Sequence, residues 1–311
     1  YGAPAVVALS LASGDDFRAA PDVLSPRGLM IVGRAGDETA FAQDVHDMEM
    51  QQISVAEAQA MVPILNPDVV TLAATAPHAW DIDTDLLLQG FARTARADGA
   101  TIHTRARVTA IARDGAGWRV TSTAGSFGAR IIVNAAGAWV DAVAAMAGVA
   151  PLGFVPNRRS MARIPAPGGH DTAPWPMIFG AGETWYAKPD AGALIVSPSE
   201  EDPTHPHDAW ADDMVLAEGL ARYEGFVTEP VTRILANWAG LRTFSPDRVL
   251  VIGPDVADPT FFWLAGQGGY GFQTCPAASR LAADLIAGRR PDLDADLVAA
   301  LNPARFTAAR A

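Results

Sequence analysis

Towards its C-terminal end the chain reads Phe261-Phe262-Trp263-Leu264-Ala265-Gly266-Gln267-Gly268-Gly269-Tyr270-Gly271-Phe272-Gln273-Thr274. An apolar run enters a turn with four glycines in six positions, and a helical pattern then extends over Phe272–Ala287 and ends at Gly288. A strand that feeds such a turn and then a helix belongs to an open α/β sheet. Glycines there admit positive φ and let a ligand approach the backbone closely. The helix N-terminus adds free N–H groups and positive dipole, suited to an anion or an electron-rich ring edge. A tight turn with no ligand has a similar composition, although four glycines exceed what one turn needs.

A second segment has the same logic. Ile131-Ile132-Val133 continues into Asn134-Ala135-Ala136-Gly137-Ala138-Trp139, a buried strand followed by small residues at the carboxyl edge of a sheet, where open α/β folds bind ligands. Small residues also serve plain helix–sheet packing. Around it, Asp85–Ala97 reads as a helix capped by Asp83 or Thr84, with Leu87, Leu88, Phe91 and Ala95 on one face and Gly99 at its end. Thr101–Thr104 reads as a short strand. Val108–Arg113 and Trp118–Thr123 alternate about Asp114-Gly115-Ala116-Gly117 as a hairpin, and a third strand near Phe127 completes a meander. Upstream, Pro4–Ala12, Glu38–Glu49 and Val55–Val62 read as helices, the last capped by Ser54 with Glu57, and Pro26–Val32 as a turn and strand.

From Pro151 the texture changes to frequent Pro and Trp and longer strands: Phe154–Ile164, Met177–Phe179, Thr184–Ala187, Ala193–Ser197, Thr232–Trp238 and Val249–Gly253, with a helix over Asp212–Glu224. This predicts a mainly antiparallel sheet and two domains built from interleaved segments.

Composition narrows the function. Half of the 311 residues are hydrophobic and the net charge is −12, so a folded chain is expected, and phosphate-neutralising contact with nucleic acid or an anionic membrane is disfavoured. No apolar run is long enough for a spanning helix. Cys275 is the sole cysteine, which excludes a disulfide within the chain. The six histidines show no metal-binding spacing, so no metal is expected. The chain opens at Tyr1 without a leader, which reads as a processed, trimmed or truncated end.

Taken as a set, these segments resemble the D-amino-acid oxidase/dehydrogenase superfamily of FAD-dependent enzymes. The further matches are Leu24-Ser-Pro-Arg27, Asp81-Ile-Asp-Thr-Asp85, Gly148-Val-Ala-Pro-Leu-Gly153, Arg158-Arg159-Ser160, Tyr186-Ala-Lys-Pro-Asp-Ala-Gly192 and Trp238-Ala-Gly-Leu-Arg-Thr-Phe244. Their order is most similar to bacterial D-amino-acid dehydrogenases of the D-arginine type, from Tyr1 to about Ala287. The family opens with a strand, a GxGxxG turn and a helix, which this sequence lacks. The expected architecture is therefore α/β: a Rossmann-like FAD-binding domain (76–150 and 245–311) without its first βα unit, interleaved with a substrate domain of mixed, mainly antiparallel sheet (14–75 and 151–244). Residues 1–13 form a helix that follows the missing unit. A piece so cut is expected to bind FAD weakly or not at all by itself.

The resemblance implies FAD as cofactor and oxidation of the CH–NH2 group of an amino acid, in the D form, to an imino acid by hydride transfer to flavin N5. Arg242 is assigned the substrate carboxylate, with Tyr186 and Arg159 beside it, Tyr1 closing the pocket and Gly269 near the flavin and the amine. Cofactor contacts fall on Val108, Asn134, Ala135, Ala136, Gly137, Trp139, Gly266, Gln267, Gly268, Gly269, Tyr270, Gly271, Phe272, Gln273 and Thr274. Each has a plainer alternative: an ordinary surface ion pair for Arg242, a solvated charge for Arg159, a core aromatic for Tyr186, a strand residue for Val108. Leu29 occupies the position at which arginine-acting relatives carry an acid, which favours an apolar or smaller substrate side chain. An electron acceptor (a quinone, a dye-like acceptor or O2) is implied, and a cytoplasmic location, free or peripheral to the inner membrane. Two other readings stay open: a sarcosine- or glycine-oxidase-like amine oxidase on the same fold, and a non-catalytic partner subunit whose FAD is supplied by a second chain.

Overall fold

The computed structural model describes residues 2–309. Its smaller sheet joins the two ligand-type turns. Phe261–Ala265 lies at the centre, antiparallel to Val251–Pro254 on one side and parallel to Ile132–Asn134 on the other. Side chains alternate across a strand, and here the alternation assigns two cores. Phe261, Trp263 and Ala265 pack with Ile111, Trp118, Val140 and Ala144, from the meander and the short helix Val140–Met146. Phe262 packs the other way, with Val6, Leu9, Ala277, Leu281 and Leu301. Those residues belong to the helices Pro4–Ala12, Gly271–Ile286 and Ala295–Leu301. The meander (Val108–Asp114, Gly117–Ser122, Gly125–Ala129) is pinned to this sheet by Trp118, whose ring N–H donates to Thr260 Oγ1 at 3.0 Å while the Arg113 guanidinium covers its face.

The larger sheet has nine strands. In spatial order they are Asp202–Pro203, Val155–Pro165, Ala193–Ser197, Tyr186–Asp190, Met177–Gly180, Leu29–Gly33, Leu72–Ala76 and Gln51–Ile53, with Ala236–Phe244 along the other edge of Val155–Pro165. All pairings are antiparallel except Met177–Gly180 with Leu29–Gly33. One face covers Ile64, Leu65, Trp185, Leu216, Tyr223 and Phe226. The opposite face carries Ile31, Ala74, Phe179 and Tyr186, closed at one end by Phe41 of the helix Glu38–Asp47.

Local signals act where they are read. Ser54 and Glu57 form the reciprocal cap of Val55–Met61, and Asp83 accepts from the Leu86 N–H at the start of Thr84–Ala97. Four expectations are corrected. Thr101–Thr104 has no strand, because no neighbouring strand among the described residues gives its backbone a ladder. The Ile131 segment shortens to Ile132–Asn134 at the sheet edge, so Val133 is 42% exposed instead of buried. On Thr84–Ala97, Leu87 is buried, but Leu88 and Phe91 are exposed, so the apolar face is wider than the surface that covers it. The strand expected over Thr232–Trp238 instead occupies Ala236–Phe244. Nine register pairs with Val155–Pro165 draw it downstream, and this shift places Arg242 inside a ladder.

Candidate active site

The parallel register pairs Trp263 with Asn134, so the Asn134–Trp139 and Gly266–Tyr270 turns leave the small sheet at the same edge. Asn134 is buried and builds its own turn: its side-chain amide donates to the Val140 carbonyl at 2.8 Å, and its oxygen accepts from the Ala136 N–H. Gly137 has φ +55°, and a Cβ placed there would meet nothing within 4 Å; Trp139 beside it is 43% exposed. Gly266 and Gly268 also have positive φ. The reason for glycine at 268 is steric, because a Cβ would lie 2.2 Å from the Phe244 ring. The Gly271–Ile286 helix follows with no side-chain cap on its first N–H groups. Phe272 is exposed there. Gln267 and Thr274 spend their side chains on local carbonyls, and Gln273 on Ser10. Val108 lies apart from both turns in sequence, at the start of the meander, packed on the Ile111–Trp118 core.

The large sheet presents a second group of residues. Asn157 pairs with Arg242 and Arg159 with Gly240, so Asn157, Arg159 and Arg242 share a face. The ladder through Ala193–Ser197 carries that face to Tyr186. Arg242 reaches the glycine turn: a Cβ on Gly269 would lie 3.0 Å from its guanidinium. Glycine at 269 therefore lets a cation lie against the backbone. Among the described residues Arg242 makes no ion pair within 4.0 Å. Arg159 is 4% exposed, donates to Glu201 at 3.3 Å, and leaves its Nε unpartnered. Burial first, and then neighbouring Arg242, lower the pKa of its guanidinium, while Tyr186, Glu201 and Glu200 act the other way. Glu201 also receives Arg248 at 2.6 Å, and Arg248 stacks on the Phe244 ring that covers Gly268. Glu183, at φ +54° in the turn before Tyr186, feels both Arg159 and Arg242, and burial raises its carboxyl pKa.

Arg242, Arg159, Tyr186 and Gly269 thus fall in one neighbourhood beside the glycine turn. Tyr1 lies outside the described residues. Glu183, Glu201, Arg248 and Asn157 escaped the sequence reading. No local pattern marks them, since each enters through strand register or a distant turn. A groove of about 630 Å³ lined by Arg113, Trp118, Gly148 and Phe306 contains none of these residues. Among the described residues no group of three or more His, Cys, Asp or Glu could hold a metal, and no helix is long and apolar enough to cross a membrane.

Residues 4–285 match the family model described as DAO, FAD dependent oxidoreductase. The chain belongs to this family of FAD-dependent oxidoreductases. It is similar to the mitochondrial dimethylglycine dehydrogenase of Homo sapiens (25% identical over 280 residues, 84% of this chain and 32% of that protein). It also resembles a D-amino acid dehydrogenase of Xanthobacter autotrophicus, 40% identical over 72 residues (23% of this chain, 16% of that one). The chain therefore spans about a third or less of the length of these two relatives. In fold it is similar to L-proline dehydrogenase from P.horikoshii, at TM-score 0.79 and 21% identity, over 98% of this chain and 83% of that one.

The described residues fit FAD. Two small-residue turns and a helix N-terminus share one sheet edge, open space lies over Gly137, and the glycines at 266, 268 and 269 add no side chain of their own to that edge. Asn134–Trp139 and Gly266–Thr274 would hold it mainly through backbone groups.

Proposed function

We propose that the protein oxidises the CH–NH bond of an amino acid, in the D form, to an imino acid, with segments 76–150 and 245–311 carrying FAD and 14–75 and 151–244 the substrate. The observation that carries this reading is the pair Arg159 and Arg242. The strand register puts the two guanidinium side chains on one face of the sheet, one of them almost fully buried, with Glu201 as the ion-pair partner of Arg159 and, among the described residues, no ion pair on Arg242. Glu201 and Glu183 offset part of their repulsion; an anion bound between the guanidiniums would offset more, and a planar carboxylate suits such donors. Tyr186, next along the same face, donates its hydroxyl to that carboxylate. Backbone acceptors of the Gly266–Tyr270 turn hold the amine. FAD, when bound, supplies a two-electron oxidant; the residues of this chain orient the substrate Cα–H and exclude water. The imine product hydrolyses in solution, and electrons leave to a quinone, a dye-like acceptor or O2.

The D form is supported by the local match to the D-amino acid dehydrogenase. An N-methylated glycine as substrate is the second reading, favoured by the match to dimethylglycine dehydrogenase along most of the chain. Replacing Arg242 with Met in the FAD-loaded protein tests the carboxylate clamp. Loss of a charge-assisted pair is expected to lower kcat/KM for every carboxylate-bearing amine by at least ~10-fold. An unchanged kcat/KM across a panel of D-amino acids, sarcosine and dimethylglycine would refute the clamp.

A further inference from the structure

We infer that the substrate pocket selects a neutral, apolar side chain and rejects a cationic one; this rests on the carboxylate-clamp reading above. The face that carries Arg159, Arg242 and Tyr186 continues across the sheet as an apolar strip. Trp238 pairs with Met161, Phe179 with Tyr186, and Leu29 with Met177, so each pair shares that face. Leu29, Met161 and Met177 are each partly exposed and pack against the cluster that contains Phe179 and Tyr186. The strip therefore begins at the carboxylate clamp and offers thioether and aliphatic surface. Methionines adapt to unbranched or aromatic side chains.

The end of the strip decides the charge. By the register that sets Ile178 opposite Ala187, Met177 lies across from Lys188. Lys188 Nζ is 2.8 Å from Asp81 Oδ1, and Arg27 Nε is 2.7 Å from Asp81 Oδ2. Three motifs far apart in sequence meet here in a half-buried cluster with two cations and one carboxylate. Of the other acids nearby, Asp190 is bound by Arg163 at 2.6 Å and Glu201 by Arg159 and Arg248. Glu183 faces the two clamp arginines at the opposite end. An ammonium or guanidinium at the tip of a substrate side chain would therefore meet methionine, leucine and a net positive cluster. Desolvating a cation without a partner is costly, whereas an alkyl tip gains burial of about 0.8 kcal/mol per methylene.

Two measurements on the FAD-loaded protein test this. Flavin bleaching under anaerobic conditions is followed with norleucine, methionine, phenylalanine, lysine and arginine of both hands. Separately, quenching of tryptophan fluorescence is titrated with hexanoate and 6-aminohexanoate, which carry no α-amine and cannot turn over. We expect kcat/KM for norleucine or methionine to exceed that for lysine and arginine by about 100-fold or more, and hexanoate to bind at least ~10-fold more tightly than 6-aminohexanoate. Leu29→Glu, or Met177→Glu if the first variant is poorly folded, should narrow or invert both ratios. Lysine or arginine used as well as norleucine, or equal affinity for the two carboxylates, overturns the inference. If no amine in the panel bleaches the flavin, the proposed function fails, and the ratio of the two carboxylate affinities still decides the pocket's charge preference by itself.

Discussion

Replacing Arg159 with Met separates a binding cation from a structural ion pair. Arg159 is buried, lies beside Arg242, and holds Glu201 at a long 3.3 Å. If its role is structural, removal leaves a carboxylate without its partner, and breaking a buried pair costs about 3–5 kcal/mol. The surroundings point the other way. Glu201 keeps Arg248 at 2.6 Å, and its side chain is 34% exposed. The Met side chain would remove a desolvated charge and its repulsion with Arg242, and this offsets the lost attraction to Glu201, Glu200 and Glu183. The thermal midpoint should therefore stay within about 4 °C of the parent, at about 2–4 °C per kcal/mol. Substrate binding should suffer, because one of two charge-assisted contacts to the carboxylate is lost. At about 1.5–3 kcal/mol this lowers kcat/KM by roughly 10- to 150-fold. The assays are a circular-dichroism melt and steady-state kinetics on the same preparation. A midpoint lowered by more than about 4 °C together with unchanged kcat/KM would show that Arg159 serves the fold, and the carboxylate clamp would lose one of its two arms.

Other outcomes follow from single contacts. Gly268→Ala brings a Cβ within 2.2 Å of the Phe244 ring at φ +53°, so it should destabilise by about 2–5 kcal/mol, the sum of left-handed strain and overpacking; a denaturant midpoint equal to that of the parent would refute the steric account of the turn. Ser54→Ala removes the reciprocal cap of Val55–Met61 and should cost about 1 kcal/mol, read from the same melts. Burial beside Phe17, Val23 and Leu87 pushes the Cys275 thiol up to about 11 from 9.0. Its native pKa lies above the unfolded one, so the stability it contributes is complete below about pH 9 and is lost as pH rises towards 11. A thiol reagent at pH 8 should therefore react slowly with the native protein and fast after unfolding, and equal rates would contradict the burial.

Much of the scaffold was legible because its causes are local. The cap at Ser54 and Glu57, the turn at Asp114–Gly117, and the alternation of Phe261 to Ala265 each depend on residues within a few positions of one another, and backbone preference and side-chain period act at that range. The glycines at 266–271 likewise announced a turn that only small residues can make. Legibility ended where a partner comes from elsewhere in the chain. Thr101–Thr104 has strand-like residues but no neighbouring edge, and Val133 looks buried in sequence yet lies on an edge strand. Arg242 was visible as a residue type within a motif. Its position against Gly269, and its proximity to Arg159, depend on the register between Ala236–Phe244 and Val155–Pro165, and register is a property of two strands together. Glu201 carries no local mark for the same reason, and Arg27, Asp81 and Lys188, each in a motif of its own, become a cluster only in the fold. A charge becomes functional through what it faces after burial, and burial is decided by the tertiary structure.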